Sequence, residues 1–315
     1  MTNPVAELSA GQPCYFLLQN ALVYRVTGKD SSRYLNARLS NNIKDLPGNS
    51  GCAAAALSPQ GRTELFGSVL KINQEEFLFI TDGGDETLVR ATLARYKVAD
   101  RVDFTYLPEL AVMHVLNQEM LPIEEAHYNL TKDAREFTPF HNQAITLFPI
   151  KRSPEVGYDV VLPKSRASDL TRIFKDRAIH ELSSRAQKIA KILAKRPSYP
   201  DELNDESIFL EAGLSHAVSF TKGCYVGQEV LEKVDSHGRL PYSLVSLKSL
   251  LKVASSAAKD SSVFLSSNSE QKVGESISGA VDANTGEDFL FARIKSSTIS
   301  SSAIFKIQGQ EYQLI

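Results

Sequence analysis

The sequence predicts an α+β protein in which antiparallel sheets carry a few helices and a small β-barrel follows at the C-terminal end. The first observation is the order strand, strand, helix, strand with short links, which lacks the regular alternation of strand and helix of a doubly wound parallel sheet. The second is a change near residue 241, after which the chain is rich in serine and in short alternating strands. We therefore divide the chain into a core of residues 1–240 and a barrel of residues 241–315.

Periodicity of the apolar residues places the individual elements of the core. Strands are predicted at Tyr15–Val26 (with a turn at Gln19–Asn20), Cys52–Leu57, Leu65–Ile72, Glu76–Thr81, Lys97–Tyr106, Ala111–Leu116, Ala144–Phe148 and the segment before Pro163. Helices are predicted after the cap residue Asp30 or Ser31, at Thr87–Tyr96, at Ala167–Lys175 and at Ser183–Lys195.

Five strands are predicted for the barrel, because turn residues interrupt five apolar segments. These segments are Ser243–Leu251, Ser262–Ser266, Val273–Val281, Asp288–Ile294 and Ala303–Ile315.

Composition excludes several classes of function. The 315 residues are 43% hydrophobic and 23% charged with a net charge of −2, which gives no overall basic surface for a nucleic acid. No run of eighteen apolar residues predicts a membrane span, and residues 1–10 have the layout of neither a signal peptide nor a transit peptide. We therefore expect a cytoplasmic monomer without direct nucleic-acid or membrane partners.

The cysteines are few and widely spaced. Cys14, Cys52 and Cys224 form no C-x-x-C pair, so neither a disulfide framework nor a zinc ribbon is predicted, and no metal ligands are assigned. A reduced compartment suits such a set of thiols.

One of these thiols lies in a segment that we take as the candidate site. Cys224 stands between Gly223 and Gly227, which suit a loop of special backbone shape. Lys222 brings positive charge near the thiol, a setting that favours thiolate chemistry. The alternative interpretation is a structural cysteine, which only packs as a small apolar side chain in a glycine-bounded turn.

The segment from Lys222 to Glu229, K-G-C-Y-V-G-Q-E, resembles the K-G-C-[YF]-x-G-Q-[ED] motif of the YgfZ-type folate-binding proteins. These are relatives of the glycine-cleavage T protein, an aminomethyltransferase, and are associated with iron–sulfur cluster maturation. Three further segments are similar to the same family: Gly28–Ile43, the hairpin Leu57–Arg62 and the approach Glu211–Phe220. The resemblance implies a T-protein-like core of two interleaved subdomains.

The resemblance also implies a ligand and a set of roles. It implies tetrahydrofolate or a folate derivative as cofactor, and iron–sulfur client proteins (tRNA-modifying enzymes among them) or cluster carriers as partners. Cys224 and Lys222 are the candidate chemical residues. The candidate ligand-binding residues are Tyr34, Arg62, Gly223, Tyr225, Gly227, Gln228 and Glu229, with Tyr34 and Tyr225 as stacking surfaces and Arg62 and Lys222 for the carboxylates of folate.

Departures from the family keep two alternatives open. T proteins carry an acidic doublet after the glycine hairpin, where this chain has only Glu64, so aminomethyl transfer is the less favoured alternative. Near the expected glycine of a ligand groove the chain has Lys195 and Arg196, with Lys191 near the expected arginine. These cations leave open a reshaped pocket, an anion held by different residues, or a non-catalytic interaction scaffold.

Overall fold

The computed structural model describes residues 13–116, 140–142, 145–238 and 240–315. These residues form two open sheets and a closed C-terminal barrel, accompanied by helices. The predicted α+β class with a C-terminal barrel is therefore confirmed. The domain boundary at residue 240 stays a prediction, and the N-terminal ten residues used for the targeting prediction lie outside the described residues.

The first two strands belong to different sheets. Strand β1 (Cys14–Leu17) lies in a six-stranded sheet, whereas β2 (Leu22–Thr27) lies in a five-stranded sheet. The turn between them is held by a hydrogen bond from the Ala21 amide to the Leu18 carbonyl (3.2 Å). The chain thus begins one sheet, completes the other and then returns, which interleaves the two sheets along the sequence.

The five-stranded sheet is antiparallel throughout, with the order β3-β4-β5-β2-β6. Its elements after β2 are α1 (Ser31–Arg38), β3 (Ser50–Leu57), β4 (Thr63–Lys71), β5 (Glu76–Thr81), α2 (Glu86–Ala94) and β6 (Asp103–Tyr106). Every residue of β3 is buried, and its run of four alanines, 53–56, leaves room for another segment of backbone to lie close.

The six-stranded sheet has the order β11-β1-β7-β10-β9-β8. Its strands after β1 are β7 (Leu110–Val115), β8 (Phe140–Asn142), β9 (Ile145–Ile150), β10 (Gly157–Pro163) and β11 (His180–Glu181). Only the β1–β11 pairing is parallel among the described strands. Helix α3 (Lys164–Asp176) buries Ala167, Leu170 and Phe174 against this sheet, as its apolar period predicts.

The barrel closes through pairing of its first and last strands, in the order β12-β15-β14-β13-β16-β17. The strands are β12 (Tyr242–Ser249), β13 (Ser262–Leu265), β14 (Asn268–Val281), β15 (Asp288–Lys295), β16 (Ile304–Ile307) and β17 (Gln310–Leu314). The five-strand prediction was wrong for the last segment, because Gln308 and Gly309 both adopt positive φ and turn it into a hairpin.

Helix α4 (Ser184–Leu193) joins the barrel to the rest of the protein. Its apolar residues Ile189 and Ile192 pack against Phe289 and Phe291 of the barrel. The Ser246 hydroxyl donates a hydrogen bond to the Ile192 carbonyl (2.8 Å). The barrel therefore sits directly beside the segment that follows α4.

Two further predictions about the elements need correction. Lys97–Tyr106 is a strand only from Asp103, since residues 97–100 are irregular and bend at Val98, which is 93% exposed. Helix α5 (Gln228–His237) was not predicted at all. It begins at Gln228, directly after Gly227, which ends the glycine-bounded turn with a φ of +85°.

Among the helices of the described residues, none combines the length and the apolar character needed to span a membrane.

Candidate functional site

Cys224 lies at the protein surface, in the loop that leads into α5. It is exposed, whereas Cys14 and Cys52 are buried thiols. The loop passes over the five-stranded sheet, where the Ser40 hydroxyl donates a hydrogen bond to the Ala217 carbonyl (2.6 Å) and the Ser219 amide donates one to the Ser40 carbonyl (3.0 Å). The thiol is thus presented outward from a well-anchored backbone.

Lys222 anchors this loop rather than facing solvent. Its ammonium donates to the carbonyls of Asn36, Leu39 and Asn41 at the end of α1, the last at 2.8 Å. A cation suits the carbonyl end of a helix. Burial lowers the pKa of Lys222 to about 7. The structure therefore places the predicted chemical residue Lys222 as a clamp between the cysteine loop and α1.

The glycines of the loop have different roles. Gly227 has φ of +85°, and a Cβ there would lie 2.6 Å from the Ser58 carbonyl oxygen. Gly61, in the hairpin opposite, has φ of +72°, and its Cβ would lie 3.1 Å from a methyl carbon of Val230. A Cβ at Gly223 would meet nothing within 4 Å. The cysteine loop and the glycine hairpin, two of the segments singled out in the sequence, are therefore in direct contact.

The remaining residues of the loop mostly serve its own structure. Tyr225 is 7% exposed and lies in the apolar core, with the Lys222 ammonium 4.5 Å from the centre of its ring. Burial raises the pKa of Tyr225 to about 12. Gln228 accepts a hydrogen bond from the Tyr225 amide (3.2 Å) and donates one to Glu232 (2.7 Å), while Glu229 is exposed.

The two predicted ligand residues outside the loop are engaged with other parts of the protein. Tyr34 is 4% exposed, and its hydroxyl donates to the Leu93 carbonyl (2.6 Å). Its ring packs against that of Phe104. Arg62 is exposed, and its guanidinium donates to the Asp205 carbonyl (2.7 Å). Neither offers a free aromatic face or a free cation in a cavity.

Two adjoining cavities lie elsewhere, between the two sheets, and helix α3 lines the larger one whereas helix α4 lines the smaller one. The larger has a volume of about 930 Å³ and the smaller about 360 Å³, and we call them the large and the small cavity. Both are lined by Leu18, Gln19, Asn20, Asp82, Ser198 and Asp201. None of the nine site residues predicted from the sequence lines either cavity.

The two cavities differ in chemistry. The large cavity has apolar and aromatic walls that include Leu17, Tyr106 and Tyr199. The small cavity is lined by four cations: Arg152, Lys188, Lys191 and Arg196. Together they offer a space with both apolar and polar walls, which continues into one lined by cations and by the acids Asp82 and Asp201.

Buried ion pairs form the wall of the small cavity. The Arg152 guanidinium donates to Asp159 (Nη2 to Oδ2, 2.7 Å) and to Asp82 (Nη2 to Oδ1, 2.6 Å). Burial alone would raise the pKa of both carboxyls, but Arg152 lowers it below the usual Asp range. His114 Nδ1 lies 2.9 Å from Asp159, and burial lowers the pKa of this histidine. The network joins both sheets at one point.

Lys191 is likewise committed within the protein. Its ammonium donates to both oxygens of Glu202 (2.9 and 2.8 Å) and to the Ser198 hydroxyl (2.8 Å).

The sequence had singled out Lys191 and Arg196 as departures from the family, but it missed Asp82 and Arg152. The only available signal was a polar turn, Asp82-Gly83-Gly84-Asp85, directly after a buried strand.

The one acid after the glycine hairpin is also engaged. Glu64 accepts from the buried Arg38 (2.7 Å) and forms a second ion pair with Arg95. Each of its two carboxylate oxygens therefore already faces a guanidinium. Within the described residues, no group of three or more His, Cys, Asp or Glu side chains is arranged to hold a metal ion.

Comparisons with known proteins identify the fold. No protein-family model matches the sequence. A curated protein, the putative transferase At1g60990, chloroplastic, of Arabidopsis thaliana, is 21% identical over 229 residues, which are 71% of this chain and 53% of that protein. The chain therefore spans about half the length of this curated relative.

The crystal structure of glycine cleavage system aminomethyltransferase T from Bartonella henselae superposes with a TM-score of 0.80. It covers 99% of this chain and 87% of its own, at 14% sequence identity. This chain therefore has the fold of a glycine-cleavage aminomethyltransferase.

Proposed function

We propose that this chain is a YgfZ-type protein that binds tetrahydrofolate or a folate derivative and supports iron–sulfur cluster assembly or repair in client enzymes, tRNA-modifying enzymes among them. It acts as a cytoplasmic monomer on protein partners. The observation that carries the proposal is an exposed Cys224 in a K-G-C-Y-V-G-Q-E loop, anchored on an aminomethyltransferase fold.

The cavities support a folate ligand. Small-molecule sites typically measure 300–1,000 Å³ and combine apolar walls with a few polar groups, and the large cavity, at about 930 Å³, lies within this range. The rings of Tyr106 and Tyr199 supply aromatic surface in a chain without tryptophan. The cations of the small cavity suit the carboxylates of folate. We therefore propose that folate binds in these cavities rather than at Tyr34 and Arg62.

The position of Cys224 favours a reaction of the thiol with a client protein over aminomethyl transfer on folate. Cys224 is exposed and lines neither cavity, so a client protein can reach it without entering the ligand site. Aminomethyl transfer would need an acid near the folate nitrogen, and Glu64 is held by Arg38 and Arg95. Folate binding and thiol chemistry are therefore separable functions of the chain.

Two measurements test the proposal. We expect isothermal titration calorimetry to show binding of tetrahydrofolate to the wild type and equally to Cys224→Ala. In cells that lack the native gene, we expect the wild type to restore the activity of an iron–sulfur enzyme and Cys224→Ala to fail.

The matched control is Cys14→Ala, which removes the buried thiol at the start of β1, in the other sheet, and is expected to restore activity. Full rescue by Cys224→Ala would remove the thiol from the mechanism. Absence of tetrahydrofolate binding at high micromolar ligand would remove the cofactor, and both results together would leave a non-catalytic scaffold. Turnover in lipoyl-dependent glycine cleavage would establish the aminomethyltransferase instead.

A further inference from the structure

Arg196 is a buried arginine whose N–H groups donate no hydrogen bond to the residues that the structure describes. It follows α4 through Lys195, which turns the chain at a φ of +53°, and it is 9% exposed. A guanidinium carries five N–H donors. Within the described residues, its side chain has no hydrogen-bond partner, and its Nε is fully buried without one.

The contacts that Arg196 does make are weak ones. Its Nη2 lies 3.6 Å from Asp82 Oδ2, beyond hydrogen-bond distance. Asp82 already accepts from Arg152 at 2.6 Å. The guanidinium carbon lies 5.8 Å from the centre of the Phe66 ring. Buried donors without acceptors are costly, so a ligand that supplies oxygen atoms to this guanidinium would be bound favourably.

The small cavity is where those oxygen atoms fit. Of its four cations, Arg152 and Lys191 are committed to Asp82, Asp159 and Glu202. Arg196 and the half-buried Lys188 remain; Arg196 has only the 3.6 Å ion pair with Asp82, and Lys188 has no acid partner among the described residues. A volume of about 360 Å³ accommodates a carboxylate or a phosphate group.

We propose that the small cavity is an oxyanion-binding subsite in which Arg196 is the principal ligand-binding side chain and Lys188 the second cation. The planar guanidinium binds two oxygens of one carboxylate or phosphate, as this fork does elsewhere. The subsite holds the anionic end of a ligand whose body lies in the adjoining large cavity, and it does not depend on that body being a folate.

A purely structural role for Arg196 makes a different prediction. Asp82 and Asp159 together carry two negative charges, which Arg152 and Arg196 balance. If Arg196 served only this balance, its removal would lower stability and leave anion binding unchanged. Anion affinity, rather than stability, therefore decides between the two roles.

The experiment uses inorganic phosphate and glutarate as probes, titrated into the whole protein at low ionic strength by calorimetry. We expect one site in the wild type and, in Arg196→Gln, an affinity lower by about 10-fold or more, the loss typical of a charge-assisted pair. Stronger binding of glutarate than of phosphate would assign the site to carboxylates, and the reverse order would assign it to phosphates.

Lys195→Gln is the matched control, since it removes the same charge from the adjacent exposed position; its affinity is expected within twofold of the wild type. No binding by the wild type, or equal binding by Arg196→Gln, would overturn the inference. If Arg196→Gln does not fold, Lys188→Gln decides, because Lys188 is half-buried and makes no close ion pair among the described residues. An unchanged affinity in that variant would refute the subsite, and a several-fold loss would support it.

Discussion

Replacing Gly227 by alanine should break the contact between the cysteine loop and the glycine hairpin. Gly227 has φ of +85°, a backbone region that L-residues occupy at a cost of about 1–2 kcal/mol. The new Cβ would also lie 2.6 Å from the Ser58 carbonyl oxygen and 3.0 Å from the Leu57 Cβ. Backbone atoms give way only by moving the hairpin, and such overpacking typically costs about 1–3 kcal/mol.

The two effects together predict a loss of about 2–5 kcal/mol in the free energy of unfolding for Gly227→Ala. The matched control is Gly223→Ala, four residues away in the same loop, where a Cβ meets nothing within 4 Å and φ is not positive. That substitution should change the free energy of unfolding by less than about 1 kcal/mol.

Urea unfolding followed by far-UV circular dichroism measures both variants, and hydrogen exchange shows where the change occurs. For Gly227→Ala we expect faster amide exchange in residues 220–238 and in the hairpin 57–62. Equal stability of Gly227→Ala and the wild type, or an equal loss in Gly223→Ala, would refute the argument that close approach of the two loops requires this glycine.

Two predictions concern pH. Burial lowers the pKa of Lys222 from 10.5 to about 7. Between about pH 7 and pH 10, Lys222 therefore binds fewer protons in the folded protein than in the unfolded chain. The contribution of Lys222 to the free energy of unfolding should rise with pH in this range. Lys222→Met should remove that rise in urea unfolding, and an unchanged slope would contradict it. At the acid end, Arg152 outweighs burial and lowers the pKa of Asp82 below 3.8, so stability should fall below about pH 4. Asp82→Asn should flatten this fall, and an equally steep one would exclude Asp82 as its cause.

Local patterns were sufficient for most of the elements. Helix α3 and strand β5 were predicted nearly to their ends, since α3 has a helical apolar period and β5 is a short continuous apolar run between polar residues. The errors fall where local pattern and burial disagree. Val98 continues a period of two but is exposed at a bend, and the helical pattern of α5 starts behind a glycine with positive φ.

In the candidate site, too, some residues were identified from the sequence and others only from the structure. Cys224 was identified because a thiol between two glycines stands out in the sequence, and the structure presents it at the surface. Tyr34 and Tyr225 could not be judged from the sequence, since an aromatic ring that stacks on a ligand and one that fills a core are the same residue type. Both lie in the core beneath the loop.

The sequence by itself determined the α+β class, the C-terminal barrel and the unusual cysteine loop, because these follow from periodicity, turn residues and motif spacing over short stretches of chain. Only the tertiary structure decided that Lys222 clamps a helix end, that β1 and β2 part into different sheets, and that Asp82, Arg152 and Arg196 meet at a cavity. These residues are far apart in the chain and are brought together by sheet pairing and by the packing of α4, which no local pattern encodes.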